Sequence, residues 1–486
     1  MKNNIKIYLF ITFLLALPII IANVYYSDDM SRAMSGVTYW GIDGRPLSDR
    51  LMIILNFNNH LTDLAPLPLI IACLLLSISF YLFHIKLFNS DNHYLFLPLS
   101  FLLSPFIIEP LSYRFDSLTI SASIFFAFAF ICLNYKNTVI SFILHSSFIV
   151  ILFSFYQASI NIVFILISIE MFVNIKNNKE PTHIIKSIAF RIIEVLVGAV
   201  IYMRVVLPLT HVNDNSQNHP GVATNIIDVI HKNFIAYYDF YTRNIIPEHG
   251  SELLIGSFIV SFAFAIKLVF VYIKKHKCNA AVFLSLMAVL SLPLTFISSM
   301  ISLLLLENTL TTFARVYIGF NGLFLFIFTL LYLGINNTRI VNGIFLIFLF
   351  YIITLFYSYG NALRAQDDKN KYIAEIIGLA LKNIPENSVN VMFNGSSPKS
   401  PILLNSELNY PLFKTIVLDY FYNWYGSHVY LKIRGVNQNY PDFSSKEVSM
   451  FMKDYCKSTL IYSSNDIKIY RDNENVMVSF DDSLCK

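Results

Sequence analysis

Residues 5–22 read IKIYLFITFLLALPIIIA, and stretches of this kind recur along most of the 486-residue chain. A helix of about 20 apolar residues crosses the hydrocarbon core of a bilayer, and a soluble protein of this size has no interior large enough to bury so many of them. The pattern therefore dictates a polytopic α-helical membrane protein. Composition agrees, with 56% hydrophobic and 14% charged residues and a mean hydropathy of +0.58. The net charge of +4 is small and dispersed, which gives no case for a nucleic-acid partner. No phosphate-cradling glycine loop, HExxH or CxxC occurs, so neither a nucleotide-driven nor a zinc-based site is indicated. Any chemistry must draw on a substrate that is already activated.

Spans are expected near 5–25, 66–88, 94–110, 117–133, 138–155, 160–174, 187–209, 252–273, 279–306, 316–335 and 340–359, about eleven in all. The first could pass for a signal peptide, but it is long enough to span, and Tyr25-Tyr26 stands where a cleavage site needs small residues. Lys86, Lys136, Lys176, Lys179, Lys186, Lys274, Lys275 and Arg339 fall in one set of loops. Asp28, Asp29, Asp43, Asp49, Asp63, Glu109, Asp116 and Glu307 fall in the other. Positive loops stay inside, so the N-terminus is expected in the cytoplasm and the C-terminus outside. In a bacterial inner membrane, outside is the periplasm.

Residues 1–359 thus form a transmembrane domain with outer loops at 26–65 and 210–251, and 360–486 a small periplasmic α/β domain. The tail opens with an amphipathic helix ended by Pro385. Strand-like runs follow: SVNVMF, KTIVLDY, HVYLKI, STLIYSS and NVMVSF. Cys456 and Cys485 both lie in this tail, and an oxidising compartment favours a disulfide between them.

Polar density gathers in the outer loops. Asp28 and Asp29 follow the first span; Asp29 suits an N-cap for the segment MSRAMSGVTYW, expected as an amphipathic helix along the membrane surface. Adjacent carboxylates at a dry cavity can instead split their pKa values and leave one as a general base. Trp40 lies toward lipid or core, Gly41 and Gly44 are free for positive φ, and Arg32, Arg45 and Arg50 are placed for an anionic headgroup. EPLSYRFDS adds Glu109, Tyr113, Arg114 and Asp116, with an internal Arg114–Asp116 or Arg114–Glu109 pair as the plain reading and a functional cluster as the sharper one. FYQASI adds Tyr156 and Gln157, and LENTLTTFAR adds Glu307 and Arg315. Within the spans, Arg191 and Glu194 stand three apart, as a structural pair would. His211 and His219 show no metal-ligand spacing, and DYFYNWYGSHVY offers aromatic faces either for sugar stacking or for a core.

YSDDMSRAMSG…WGIDGRPL, followed by EPLSYRFDSL and FYQASI, resembles the bacterial and phage serotype-converting O-antigen glucosyltransferases of the type II glucosyltransferase family. The resemblance covers about 24–320. It implies a GT-C-like membrane transferase using undecaprenyl-phosphate-glucose and a sugar, rhamnose by expectation, of lipid-linked O-antigen. A companion flippase and a donor-synthesising transferase are implied partners, along with membrane lipids. GT-C enzymes place an acidic residue in the first outer loop, which points to Asp29, then Asp28, as catalytic base. Arg114, with Arg45 or Arg315, is expected at the lipid phosphate; Arg32, Trp40, Glu109, Tyr113, Asp116, Tyr156 and Gln157 complete the substrate set. No cofactor is expected, and a divalent metal is possible but not indicated. The rival reading is a flippase or transporter of a lipid-linked sugar, which calls for midplane polar residues and internal repeats that the chain lacks. An acyl- or phosphoethanolamine transferase would need a buried His base or a metal set, and neither stands out.

Overall fold

A computed structural model of the chain describes residues 2–210, 221, 223–245, 249–481 and 485. It divides into two compact units. The first comprises residues 1–20, 38–357 and 410–412, and the second 21–37, 358–409 and 413–486. Residues 21–37, expected with the membrane part, thus cluster with the second unit.

The first unit is helical. Among the described residues nine helices are long and apolar enough to span, and a bent pair adds a tenth. The chain is a multi-pass membrane protein. Two of the eleven expected spans take another form. The segment 94–110 is a broken pair, Asn92–Leu103 and Pro105–Ser112, bent by 65°. Pro105 stands at the break and explains it, because proline lacks the N–H a continuous helix needs and its ring clashes with the preceding turn. The other, Asp116–Cys132, is 17 residues long, short for a span, and buried over almost its whole length.

Asp116–Cys132 packs against Leu67–Phe88, Thr138–Phe155 and Ile160–Lys176. Its Ser117, Ser121, Ala122 and Ser123 are small enough for the close approach that drives helix association where lipid supplies no hydrophobic force. Ala314–Gly334 is likewise enclosed. Pro181–Thr210, Ser251–His276 and Thr338–Ala380 expose apolar side chains such as Leu196, Ile259 and Phe350, as a lipid-facing surface requires. Inside, Arg191 pairs with Glu194 and Glu170, both at 3.4 Å, and Glu194 meets His145 at 2.9 Å. The expected structural pair is therefore part of a larger buried network. The amphipathic helix expected from 360 is no separate element, since it continues the last span in one helix, Thr338–Ala380.

The second unit contains a four-stranded sheet ordered β1-β4-β3-β2, with β1 Asn390–Asn394, β2 Thr459–Ser463, β3 Lys468–Asp472 and β4 Asn475–Ser479. β1 and β4 run parallel, Val391 opposite Val476; the other pairings are antiparallel. Two expected strands are absent. KTIVLDY begins inside the short helix Phe413–Ile416, and HVYLKI belongs to Tyr425–Ile433. In the latter helix His428, Val429, Tyr430 and Leu431 are all buried, and an apolar run enclosed on every side carries no period to separate helix from strand. A disulfide joins Cys456 to Cys485 beside Met392, Phe451 and Tyr470.

Candidate active site

The loop after residue 37 shapes the polar centre of the first unit. Asp49 accepts the backbone N–H groups of Trp40 and Gly41 at 3.0 and 2.8 Å, closing a tight turn. Gly44 ends that turn at φ +76°, where a side chain would be strained. Gly41, expected to share that freedom, instead begins the short helix Gly41–Asp43; what it needs is space, because a Cβ there would lie 2.6 Å from Asp49 Oδ2.

The turn directs Trp40 and Arg45 inward. Trp40 is fully buried, and its Nε1–H donates to Asp116 Oδ1 at 2.7 Å. The same oxygen accepts from Arg45 at 3.0 Å. Asp116 begins its helix and is itself buried. The guanidinium of Arg45 also lies 5.5 Å from the Tyr156 ring centre.

A second group lies in the same unit. The backbone N–H of Arg315 donates to Glu109 Oε2 at 2.6 Å, and its guanidinium donates to the Tyr113 hydroxyl and covers that ring at 4.8 Å. Tyr113 in turn donates to Glu109 Oε1 at 3.4 Å. Glu109 comes from the second limb of the broken pair, so the proline break brings these residues to the cluster. Tyr156 links both groups. Burial pushes its hydroxyl up to about 12, while Arg315 and Arg45 oppose that rise and Glu109 and Asp116 reinforce it. Two cations and two carboxylates therefore act on one enclosed phenol.

Gln157 holds the turn: its amide donates to the Asp43 carbonyl and to the Tyr202 hydroxyl, both at 3.0 Å, and Tyr202 donates to the Gly44 carbonyl at 2.8 Å. Tyr202 escaped the sequence reading, although a polar ring in an apolar span was a visible signal. Arg114, expected to pair within its own segment, pairs with Asp63, and Asp116 pairs with Arg45.

Asp28, Asp29 and Arg32 fall in the second unit. The expected cap is not formed: helix Asp29–Ser35 starts one residue earlier than an Asp29 cap would allow, and Asp28 in the cap position makes no side-chain cap bond. Gly36, at φ 67°, stops this helix well short of Trp40, so no surface helix runs through TYW. Asp29 is fully buried and accepts the Tyr26 N–H at 3.2 Å; Asp28 is exposed and stands 3.9 Å from Arg32. His211 and His219 lie outside the described residues. Among the described residues no three His, Cys, Asp or Glu side chains converge to hold a metal ion.

A many-helix membrane unit with half-buried arginines set among buried carboxylates and tyrosines defines the class, a polytopic membrane protein with a polar centre. The family profile described as Glucosyl transferase GtrII matches residues 17–360. The chain belongs to that family and is a glucosyltransferase. It is also similar to the "Uncharacterized 55.3 kDa protein in gtrB 5'region" of Salmonella phage P22, with 25% identity over 461 residues, covering 92% of this chain and 93% of the relative. No solved structure matches the chain.

Proposed function

We propose that the protein transfers glucose from undecaprenyl-phosphate-glucose to a sugar, rhamnose by preference, of lipid-linked O-antigen, and so alters serotype. The reading places it in the bacterial inner membrane with the N-terminus cytoplasmic, the C-terminus periplasmic and a GT-C-like membrane unit. A flippase and a donor-synthesising transferase would supply the donor on the outer leaflet. The observation that carries it is the pair of half-buried arginines, Arg45 and Arg315, held by the buried carboxylates Asp116 and Glu109 in the family-matched region.

In the proposed reaction the acceptor hydroxyl attacks the anomeric carbon and the carbon–oxygen bond to the lipid phosphate breaks. The phosphate departs with the electron pair, giving direct displacement with inversion. Charge grows on the departing phosphate, and preorganised guanidinium donors lower the barrier there. Each guanidinium has five N–H donors and can hold a carboxylate and a phosphate together. Arg45 and Arg315 take the leading role, with Arg114 in support. The hydroxyl proton goes to a carboxylate, for which Asp29 is the first candidate and Asp28 the second, on their place in the first outer loop. Trp40 and Asp116 orient Arg45, Tyr113 and Glu109 orient Arg315, and Arg32 and Gln157 are secondary.

The test supplies membranes containing the protein with polyprenyl phosphoglucose and lipid-linked acceptor, followed by linkage analysis of the product. New glucosyl linkages that disappear in Arg45→Ala, Arg315→Ala and Asp29→Asn are expected. Donor that crosses the membrane without any new glycosidic bond would support the carrier reading instead.

A further inference from the structure

The second unit has a pocket of its own, formed where the end of β1 and the turn into β4 meet the chain at 439–448. It is a cavity of about 390 Å³, within the roughly 300–1,000 Å³ range of small-ligand sites. It is lined by Asn390, Asn439, Asp442, Glu447 and Glu474, together with Val448 and the Tyr440 ring. Asn390 and Asn475 are tied to each other at 3.1 Å, and Asn439 is anchored through its amide to the Asn387 carbonyl at 3.0 Å, so the amides are fixed before any ligand arrives.

The rings around Tyr440 hold it in place. His428 meets it at 4.9 Å and 86°, Phe443 at 5.6 Å and 73°, and Tyr425 at 5.8 Å and 79°. Tyr440 nevertheless remains 44% exposed. A clamped, half-exposed ring beside fixed amides and carboxylates matches a ligand with one apolar face and a rim of hydroxyls. Carboxylates and amide oxygens accept from hydroxyls, and charged acceptors do so strongly.

Charge and geometry narrow the ligand further. Three carboxylates repel an acidic glycan or a phosphate. They also do not form a cation site, because among the described residues no three acidic or metal-ligating side chains converge on one point. Glu447, Glu474 and Asn475 also line a second polar cavity of about 830 Å³, together with Lys457, Thr459, Arg471 and Asp472. Two polar cavities that share a wall form a groove that fits a chain of residues better than one small molecule.

We infer that this groove binds a neutral glycan chain, with one hexose or deoxyhexose ring stacked on Tyr440. That the glycan is the acceptor O-antigen rests on the proposed function; it would make the second unit the part that grips the polymer. The experiment uses the full chain in nanodiscs and measures binding of neutral O-polysaccharide freed of lipid by mild acid, with alginate and calcium ions as separate probes. Wild-type protein should bind the neutral polymer, Tyr440→Phe should keep that binding, and Tyr440→Ala and Glu474→Gln should weaken it roughly tenfold or more. Both substitutions are at exposed positions, and the Phe variant checks that the groove is intact. Equal binding by wild type and Tyr440→Ala, preference for alginate, or saturable calcium binding that displaces the polymer would each overturn the inference. Glucose transfer to the lipid-linked acceptor is measured in parallel: its absence counts against the proposed reaction, while polymer binding alone decides the groove.

Discussion

Replacing Asp116 tests whether the centre of the first unit holds together as drawn. The carboxylate is buried and accepts two donors on one oxygen, Trp40 Nε1 at 2.7 Å and Arg45 at 3.0 Å. Asp116→Ala strands the Arg45 charge in a mostly buried position, which costs about 3–5 kcal/mol in comparable sites. It also strands the indole N–H, for about 1–3 kcal/mol, although the two losses overlap because they share a partner. A net loss of about 4 kcal/mol follows from these magnitudes. Asp116→Asn keeps an acceptor for the indole and loses only the charge, so about 2–3 kcal/mol is expected. Adding Arg45→Met to Asp116→Ala removes the stranded charge and should restore about 1–3 kcal/mol relative to the sum of the single changes. The chain has two tryptophans, so a Trp424→Phe background with excitation selective for indole leaves Trp40 as the sole tryptophan emitter. Denaturant titration in detergent, followed by Trp40 emission and acrylamide quenching, reads both stability and the indole environment. Strict additivity of the two changes, or Trp40 emission indifferent to Asp116, would refute the account of this cluster.

Other outcomes follow from the same geometry. Gly44→Ala must place a Cβ at positive φ and 2.7 Å from both Leu207 and the Tyr202 hydroxyl, so a loss of about 1–3 kcal/mol and reduced transfer are expected on the same titration. Burial lowers His428 to about 4, whereas the unfolded chain protonates it near 6.5. The neutral ring therefore stabilises the fold fully above about pH 6.5. That contribution, about 3 kcal/mol, is lost as pH falls toward 4; melts of wild type against His428→Phe should converge over that interval. Removing the Cys456–Cys485 disulfide, which closes a sequence separation of 29 residues, should cost about 3–4 kcal/mol. Intact-mass mapping under non-reducing conditions should show the two cysteines linked.

The membrane part was largely legible because its signal is collective. A run such as 138–155 must be helical in hydrocarbon, where every backbone group needs an internal partner, and it is a helix from Thr138 to Phe155. The broken segment at 94–112 was missed because mean hydropathy does not register where prolines interrupt the hydrogen-bond ladder. In the tail, STLIYSS and NVMVSF became strands and HVYLKI a helix. These short apolar runs look alike in sequence, and only their neighbours decide between the two forms. β3, Lys468–Asp472, mixes charge with apolar residues and gave no strand signal strong enough to read.

Composition and patterning alone determined that this chain lives in a membrane, that its polar residues gather in the loops between spans, and that Arg45, Glu109, Tyr113, Asp116, Tyr156 and Arg315 deserve notice. Those conclusions come from transfer energies, which are local and additive along the chain. Partnership is different. That Arg45 meets Asp116 rather than lying apart from it, that Arg114 turns to Asp63, and that Gln157 and Tyr202 brace the Gly44 turn were decided by tertiary packing. A buried charge must find its partner in three dimensions, across separations of 71 residues for Arg45–Asp116 and 51 for Arg114–Asp63, and sequence proximity says nothing about which partner that is.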